Sequence, residues 1–234
     1  MNWKRKKWYT KPLIGTGIVL LVVGCHQFES NEVAQYEEEL PSRTGSLPFY
    51  NDPSFTPLWL EEGSSELKDF HQIPAFSLTN QLGESITEQD LDGKIVVADF
   101  FFTTCPGICP KMTRNMQLVQ EAFESDTEIL LVSHSVTPEI DSENVLYKYA
   151  NNHGVIKSKW HLLTGDRELI YQLGRQSYFV EEDLGLPKNE MDFLHTENFV
   201  LLDKQRRIRG IYNGLNKRSV QQLITDIKTL KTSG

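Results

Sequence analysis

Two cysteines four positions apart, Cys105 and Cys109, carry the most reactive chemistry in this chain. They stand in the run Asp99-Phe-Phe-Phe-Thr-Thr-Cys105-Pro-Gly-Ile-Cys109-Pro110-Lys111-Met112, directly after a strand-like apolar stretch. Once a helix has begun, residues four apart share a face, with Cβ atoms roughly 5–6 Å apart. A modest adjustment would close a disulfide, whose Cβ atoms sit about 3.8 Å apart. A small soft ion could equally bridge the two thiolates. The pair therefore reads as a redox couple, a soft-metal clamp, or both. A purely structural staple is the blander alternative, but so short a loop removes little unfolded-state entropy.

The elements around the pair can be read from periodicity. Lys94 to Phe102 is a continuous apolar run, the pattern of a strand buried on both faces. Pro110 suits the first turn of a helix running through Met112, Met116, Leu118, Val119 and Phe123. Glu128 to His134 is a second buried strand, and Ser142 to Asn151 a helix with Val145, Leu146, Tyr149 and Ala150 on one face. Trp160 to Thr164 is a short strand, and Asp166 caps a helix from Arg167 to about Leu173. Glu197–Asp203 and Ile208–Asn213 form a hairpin about Lys204-Gln-Arg, and Ser219–Leu230 is the last helix. Ahead of these, Ile73–Leu82 and Glu84–Leu91 read as a hairpin turning at Gly83. The order β-β-β-α-β-α-β-α-β-β-α argues for an α/β fold with a mixed or parallel sheet. Sites in such sheets gather beyond the carboxyl ends of the strands, where Cys105 and Cys109 lie.

The chain has 234 residues, a net charge of −8 and a third cysteine, Cys25. Lys4, Arg5, Lys6, Lys7 and Lys11 form a basic start, and Pro12 to Gly24 an apolar run too short for a comfortable membrane span. The ending Val22-Val23-Gly24-Cys25 resembles the lipobox of bacterial lipoproteins, in which the cysteine is lipidated and becomes the first mature residue. An uncleaved signal anchor is the alternative. Either places the bulk of the chain outside the cytoplasm on a membrane surface, where thiols tend to oxidise. About 210 residues then remain, enough for one domain and a tether. The expected division is a signal at 1–24, a lipidated tether and extended segment at 25–66, and a domain at 67–234. The early tether is acidic, and the aromatics of Leu47–Leu60 predict that this later part packs on the domain. With no basic cluster beyond the start, nucleic acid is not an expected partner.

A closing hairpin and helix, with a cysteine pair where the first long strand meets its helix, resemble the thioredoxin fold. Phe101-Phe102-Thr103-Thr104-Cys105-Pro-x-x-Cys109-Pro110 resembles the F-x-x-C-P-x-x-C-P signature of the Sco/SenC family. Ser135-Val-Thr-Pro-Glu139 with Asp141-Ser142 resembles its S-V-D-P-E-x-D-T, and Met191-Asp192-Phe193-Leu194-His195-Thr196 its block before the late strand. Two departures stand out: Thr137 replaces the usual aspartate, and Gly107 a frequent one. The resemblance implies a thioredoxin-like fold, a central mixed sheet with flanking helices and an added N-terminal β-hairpin. It implies Cys105, Cys109 and His195 as metal ligands.

Two thiolates and an imidazole suit Cu(I), and a further donor or water would admit Cu(II). Three protein ligands leave a site open, which suits an ion that is handed on, whereas structural zinc is normally closed by four. By resemblance, the chain is a copper-binding metallochaperone. It would deliver copper to, or reduce the thiols of, the dinuclear copper site of cytochrome c oxidase. Its expected partners are that enzyme's copper-bearing subunit or another copper protein, a thiol reductant, and the membrane through the lipid on Cys25. The alternative is a membrane-tethered thiol-disulfide oxidoreductase with Cys105 and Cys109 as its catalytic couple. A peroxidase of the same fold would want P-x-x-x-T/S-x-x-C, but Ala98 and Phe102 occupy those positions. His134, at a strand end, matches no ligand of the family, with a place facing the cysteines as an alternative or supporting ligand the lesser reading; Met112 and Met116 read as core, with Met112 a minor soft-donor candidate. His26, His71, His153 and His161 read as exposed or packed.

Overall fold

The computed structural model describes residues 46–180 and 196–233. The chain divides into two compact units, Met1–Glu39 and Leu40–Gly234, and the described residues belong to the second. Cys25, His26, the expected export signal at 1–24 and His195 lie outside the described residues.

Among the described residues seven strands form one mixed sheet in the order β2-β1-β5-β4-β3-β6-β7. They are β1 (Ser77–Asn80), β2 (Ser85–Thr87), β3 (Ile95–Phe101), β4 (Ile129–Ser135), β5 (Trp160–Thr164), β6 (Asn198–Leu202) and β7 (Ile208–Asn213). The helices are α1 (Cys109–Ala122), α2 (Glu143–Asn152), α3 (Arg167–Gln172) and α4 (Lys217–Ser233); a π-helical turn, Leu173–Ser177, continues α3. β3, β4 and β5 run parallel, while β1, β6 and β7 each pair antiparallel. The fold is α/β and thioredoxin-like, with the N-terminal hairpin β1–β2 added at one edge of the sheet, as the sequence predicts.

The hairpin is built locally. Gly83 takes φ +77, and Asn80 Oδ1 accepts from the N–H groups of Leu82 at 2.8 Å and Glu84 at 3.0 Å. α3 starts where Asp166 Oδ1 accepts from Leu169 N at 2.8 Å, the expected cap.

Strand alternation divides the core between the two faces of the sheet. Ile95, Val97 and Phe101 join Ile129, Leu131 and the inward residues of α1, α2 and α4. Val96, Ala98 and Phe100 join Leu130, Val132 and residues of α3 and its π-helical extension. β3 and β4 are buried along their whole length because both faces are covered.

The segment after residue 46 packs on the domain as expected. Phe49 bridges Leu58, and Tyr50 bridges Ile208 of β7. Arg209 clamps it: its guanidinium donates to the carbonyls of Leu47 and Pro48, pairs with Asp203 and Glu62, and lies 3.7 Å from the Phe49 ring.

Candidate metal centre

β3 ends at Phe101, and the chain turns through Phe102-Thr103-Thr104 to reach Cys105. Cys105 N donates to Phe102 O at 3.4 Å. Pro106 disfavours helical backbone at the residue before it, which keeps Cys105 out of the helix. Cys109 is the first residue of α1 and Pro110 the second, where a missing N–H breaks no helical bond. The cysteines therefore do not meet on one helical face, as their spacing alone suggests. Cys105 comes back over the helix start from the preceding turn.

Both cysteines are free thiols in unequal settings: Cys105 is half-buried and Cys109 buried. Partial burial works to raise the Cys105 thiol. The backbone N–H groups of Cys109, Gly107 and Ile108, with the Cys109 thiol, outweigh it by donating to the Cys105 sulfur, and its pKa is lowered. Burial pushes the Cys109 thiol up to about 12. The Cys105 sulfur and the Asp99 carboxylate add to this, against a hydrogen bond from the Phe102 backbone. The arrangement is a thiolate-favouring sulfur facing solvent and a protonated one beneath it.

Two side-chain networks hold the pair. Thr113 Oγ1 donates to Cys109 O at 2.9 Å and lies 2.7 Å from the Tyr149 hydroxyl, which ties α1 to α2. Asp141 accepts from Thr103 N at 3.1 Å, from Ser135 Oγ at 2.6 Å and from Thr137 Oγ1 at 3.2 Å; Thr103 Oγ1 donates to its other oxygen. Asp99 lies on the cysteine side of β3. Burial raises its carboxyl to about 7, against a hydrogen bond from Ser133 Oγ, which itself accepts from Trp160 Nε1 at 2.8 Å. Sequence reasoning missed Asp99. Its signal was a single charged residue inside the apolar run Val97-Ala-Asp-Phe-Phe101.

His134 does not face the cysteines. As an even-numbered residue of β4 it points to the opposite face, stacked on Phe100 at 4.7 Å and beside Tyr178 at 5.2 Å. Burial lowers its pKa to about 4, so the ring is neutral at pH 7. Met112 and Met116 are fully buried in the core. His71 stacks on Phe179, His153 on Tyr149, and His161 lies against Asn80.

Among the described residues no three His, Cys, Asp or Glu side chains are grouped to hold a metal ion. The expected third donor, His195, lies outside the described residues. The backbone next to it is described: β6 pairs antiparallel with β3, Val200 opposite Ala98 and Leu202 opposite Val96. Asn198 and Thr196 therefore enter the sheet at the end where β3 leads into the cysteine turn.

A thioredoxin-like α/β domain with one shielded and one accessible thiol where a central strand meets its helix defines a protein of thiol redox or soft-metal chemistry. The SCO1/SenC family model matches residues 64–232, and the chain belongs to that family. A SCO1/SenC family lipoprotein from Bacillus anthracis str. Ames superposes with a TM-score of 0.60 at 32% identity, over 69% of this chain and 95% of that one. BsSco, a member of the Sco family of cytochrome c oxidase assembly proteins in which a disulfide switch has been identified, superposes at 0.59 with 28% identity, over 69% and 94%. Copper-bound ScoI from Bradyrhizobium japonicum superposes at 0.54 with 27% identity, over 67% and 97%.

Proposed function

We propose that this protein binds copper on Cys105, Cys109 and His195 as cargo and passes it on. The recipient would be the dinuclear copper site of cytochrome c oxidase, or the chain would reduce the thiols of that site. The observation that carries the reading is the thiol pair itself, with one sulfur accessible and the other directly beneath it at the first turn of α1. Two sulfurs in that relation offer a soft donor set, and an accessible one lets a partner's ligand displace it. The copper-bound relative supports the choice of ion. The entry of β6 at the cysteine end supports His195 as third ligand. Binding Cu(I) to two thiols releases the Cys109 proton, and binding therefore strengthens as pH rises.

Lipidation of Cys25 would tether the domain outside the cytoplasm of a bacterial cell, in keeping with the lipoprotein relative. Residues 1–24 would be removed, 25–66 would carry the tether and the strapped segment, and 67–234 the domain. Among the described residues no helix is long and apolar enough to cross a membrane.

The thiol-disulfide oxidoreductase reading is favoured by one specific observation: Cys109 donates to the Cys105 sulfur, the relation of a resolving thiol to an attacking one. Metal analysis of the reduced full chain beside a Cys105→Ser, Cys109→Ser variant separates the two. The first reading expects one copper per wild-type chain and none on the variant. Equal copper on both would reject it.

A further inference from the structure

Asp141 is fully buried, yet no ion pair among the described residues involves it. A buried carboxylate is costly unless hydrogen bonds replace its water. Here they come from three pieces of chain. Thr103 belongs to the turn two residues before Cys105, Ser135 ends β4, and Thr137 lies in the loop beyond. Thr137 N also donates to Ser135 Oγ at 3.2 Å, and Val136 N to Phe101 O at 2.9 Å, so the ends of β3 and β4 are already joined beneath. Asp141 fastens the cysteine turn to that joint. Cys109 has its own anchor through Thr113 and Tyr149. The alignment of the two sulfurs thus depends on two separate ties, and the one serving Cys105 runs through Asp141.

We propose that Asp141 is a positioning residue for the Cys105–Cys109 couple, acting through Thr103 to set the equilibrium between dithiol and disulfide. This rests on the pair being redox-capable. In the reaction concerned, a dithiol donor gives two electrons and two protons to the disulfide. The Cys105–Cys109 bond breaks, both sulfurs become thiols, and the donor's two sulfurs join. The better the thiols are held in register, the more the disulfide is favoured.

The test is the disulfide equilibrium of the metal-free full chain in dithiothreitol buffers, with free thiols counted by labelling. Asp141→Ala should lower the equilibrium constant for disulfide formation about tenfold, close to 30 mV. Asp141→Asn should stay within about threefold of wild type, because its oxygen can still accept from Thr103 N and Ser135 and its amide can donate to Thr103 Oγ1. Thr103→Val, which removes one hydroxyl, should move the constant part of the way and add nothing to Asp141→Ala. A lowered thermal midpoint with an unchanged constant in Asp141→Ala would mean a purely structural role and overturn the proposal. So would an Asn variant as impaired as the Ala variant. If Asp141→Ala does not fold, an unchanged constant in Thr103→Val overturns it instead. A wild-type chain that forms no disulfide would overturn both this proposal and the redox reading beneath it. A wild-type couple that Asp141→Ala leaves unmoved overturns this proposal alone.

Discussion

The Cys109 thiol donates its hydrogen bond to the Cys105 sulfur, so the two cysteines have different chemistry although they share one turn. Cys105 is lowered by the backbone N–H groups around it, and Cys109 is pushed up to about 12. Of the two, Cys105 therefore carries the larger thiolate fraction, and the thiolate is the reactive species. Iodoacetamide should therefore modify the Cys109→Ser variant at least about tenfold faster than the Cys105→Ser variant. Equal rates would remove the asymmetry.

Stability should depend on pH through Asp99 and His134 in opposite senses. Asp99 is raised from 3.8 to about 7, so between those values the folded state holds a proton that the unfolded state has lost. Its contribution falls as pH rises through that window. His134 is lowered from 6.5 to about 4, so there the unfolded state holds the extra proton. Its contribution rises from pH 4 to 6.5. Across its window the effect amounts to about 4 kcal/mol for Asp99 and about 3 kcal/mol for His134. In urea titrations wild type should be nearly flat from pH 4.5 to 6. Asp99→Asn should gain stability with pH there, and His134→Gln should lose it. Parallel curves for all three would contradict these burial effects.

Arg209 should hold the N-terminal strap. Its side chain is 2% exposed and pairs with Asp203 and Glu62. Arg209→Ala leaves Asp203 buried with one cation fewer and should destabilise the domain by about 3 kcal/mol. Amide exchange in residues 47–60 should quicken more than exchange in β3. Uniform quickening would mean the strap is not a separate unit.

Much of this was legible in the sequence because it was local. The unbroken run into Phe101 gave away a strand covered on both faces, Gly83 the hairpin turn, and Pro110 the helix start. The cysteine geometry was misread because i,i+4 spacing assumes that both residues are helical, and Pro106 holds the first one back. The direction of His134 was left open because a strand end does not say which face a residue takes. Only the pairing of β3 with β4 and the position of α1 decide that. Asp141 and Arg209 depend on partners brought in by tertiary folding. Thr103 lies 38 residues from Asp141, and Glu62 lies 147 from Arg209.

The most direct test of the account is the Cu(II) spectrum of the reduced full chain, wild type beside His195→Ala and His134→Ala. Copper held by two thiolates and one imidazole should show thiolate-to-copper charge-transfer absorption. Cu(II) depends on nitrogen donors more than Cu(I) does. His195→Ala should therefore alter that absorption and weaken Cu(II) strongly, while Cu(I) binding falls only in part. His134→Ala, on the far face of the sheet, should match wild type in the band. Wild-type Cu(II) spectra and affinity in His195→Ala would contradict the three-ligand centre and put the thiol-disulfide oxidoreductase reading first.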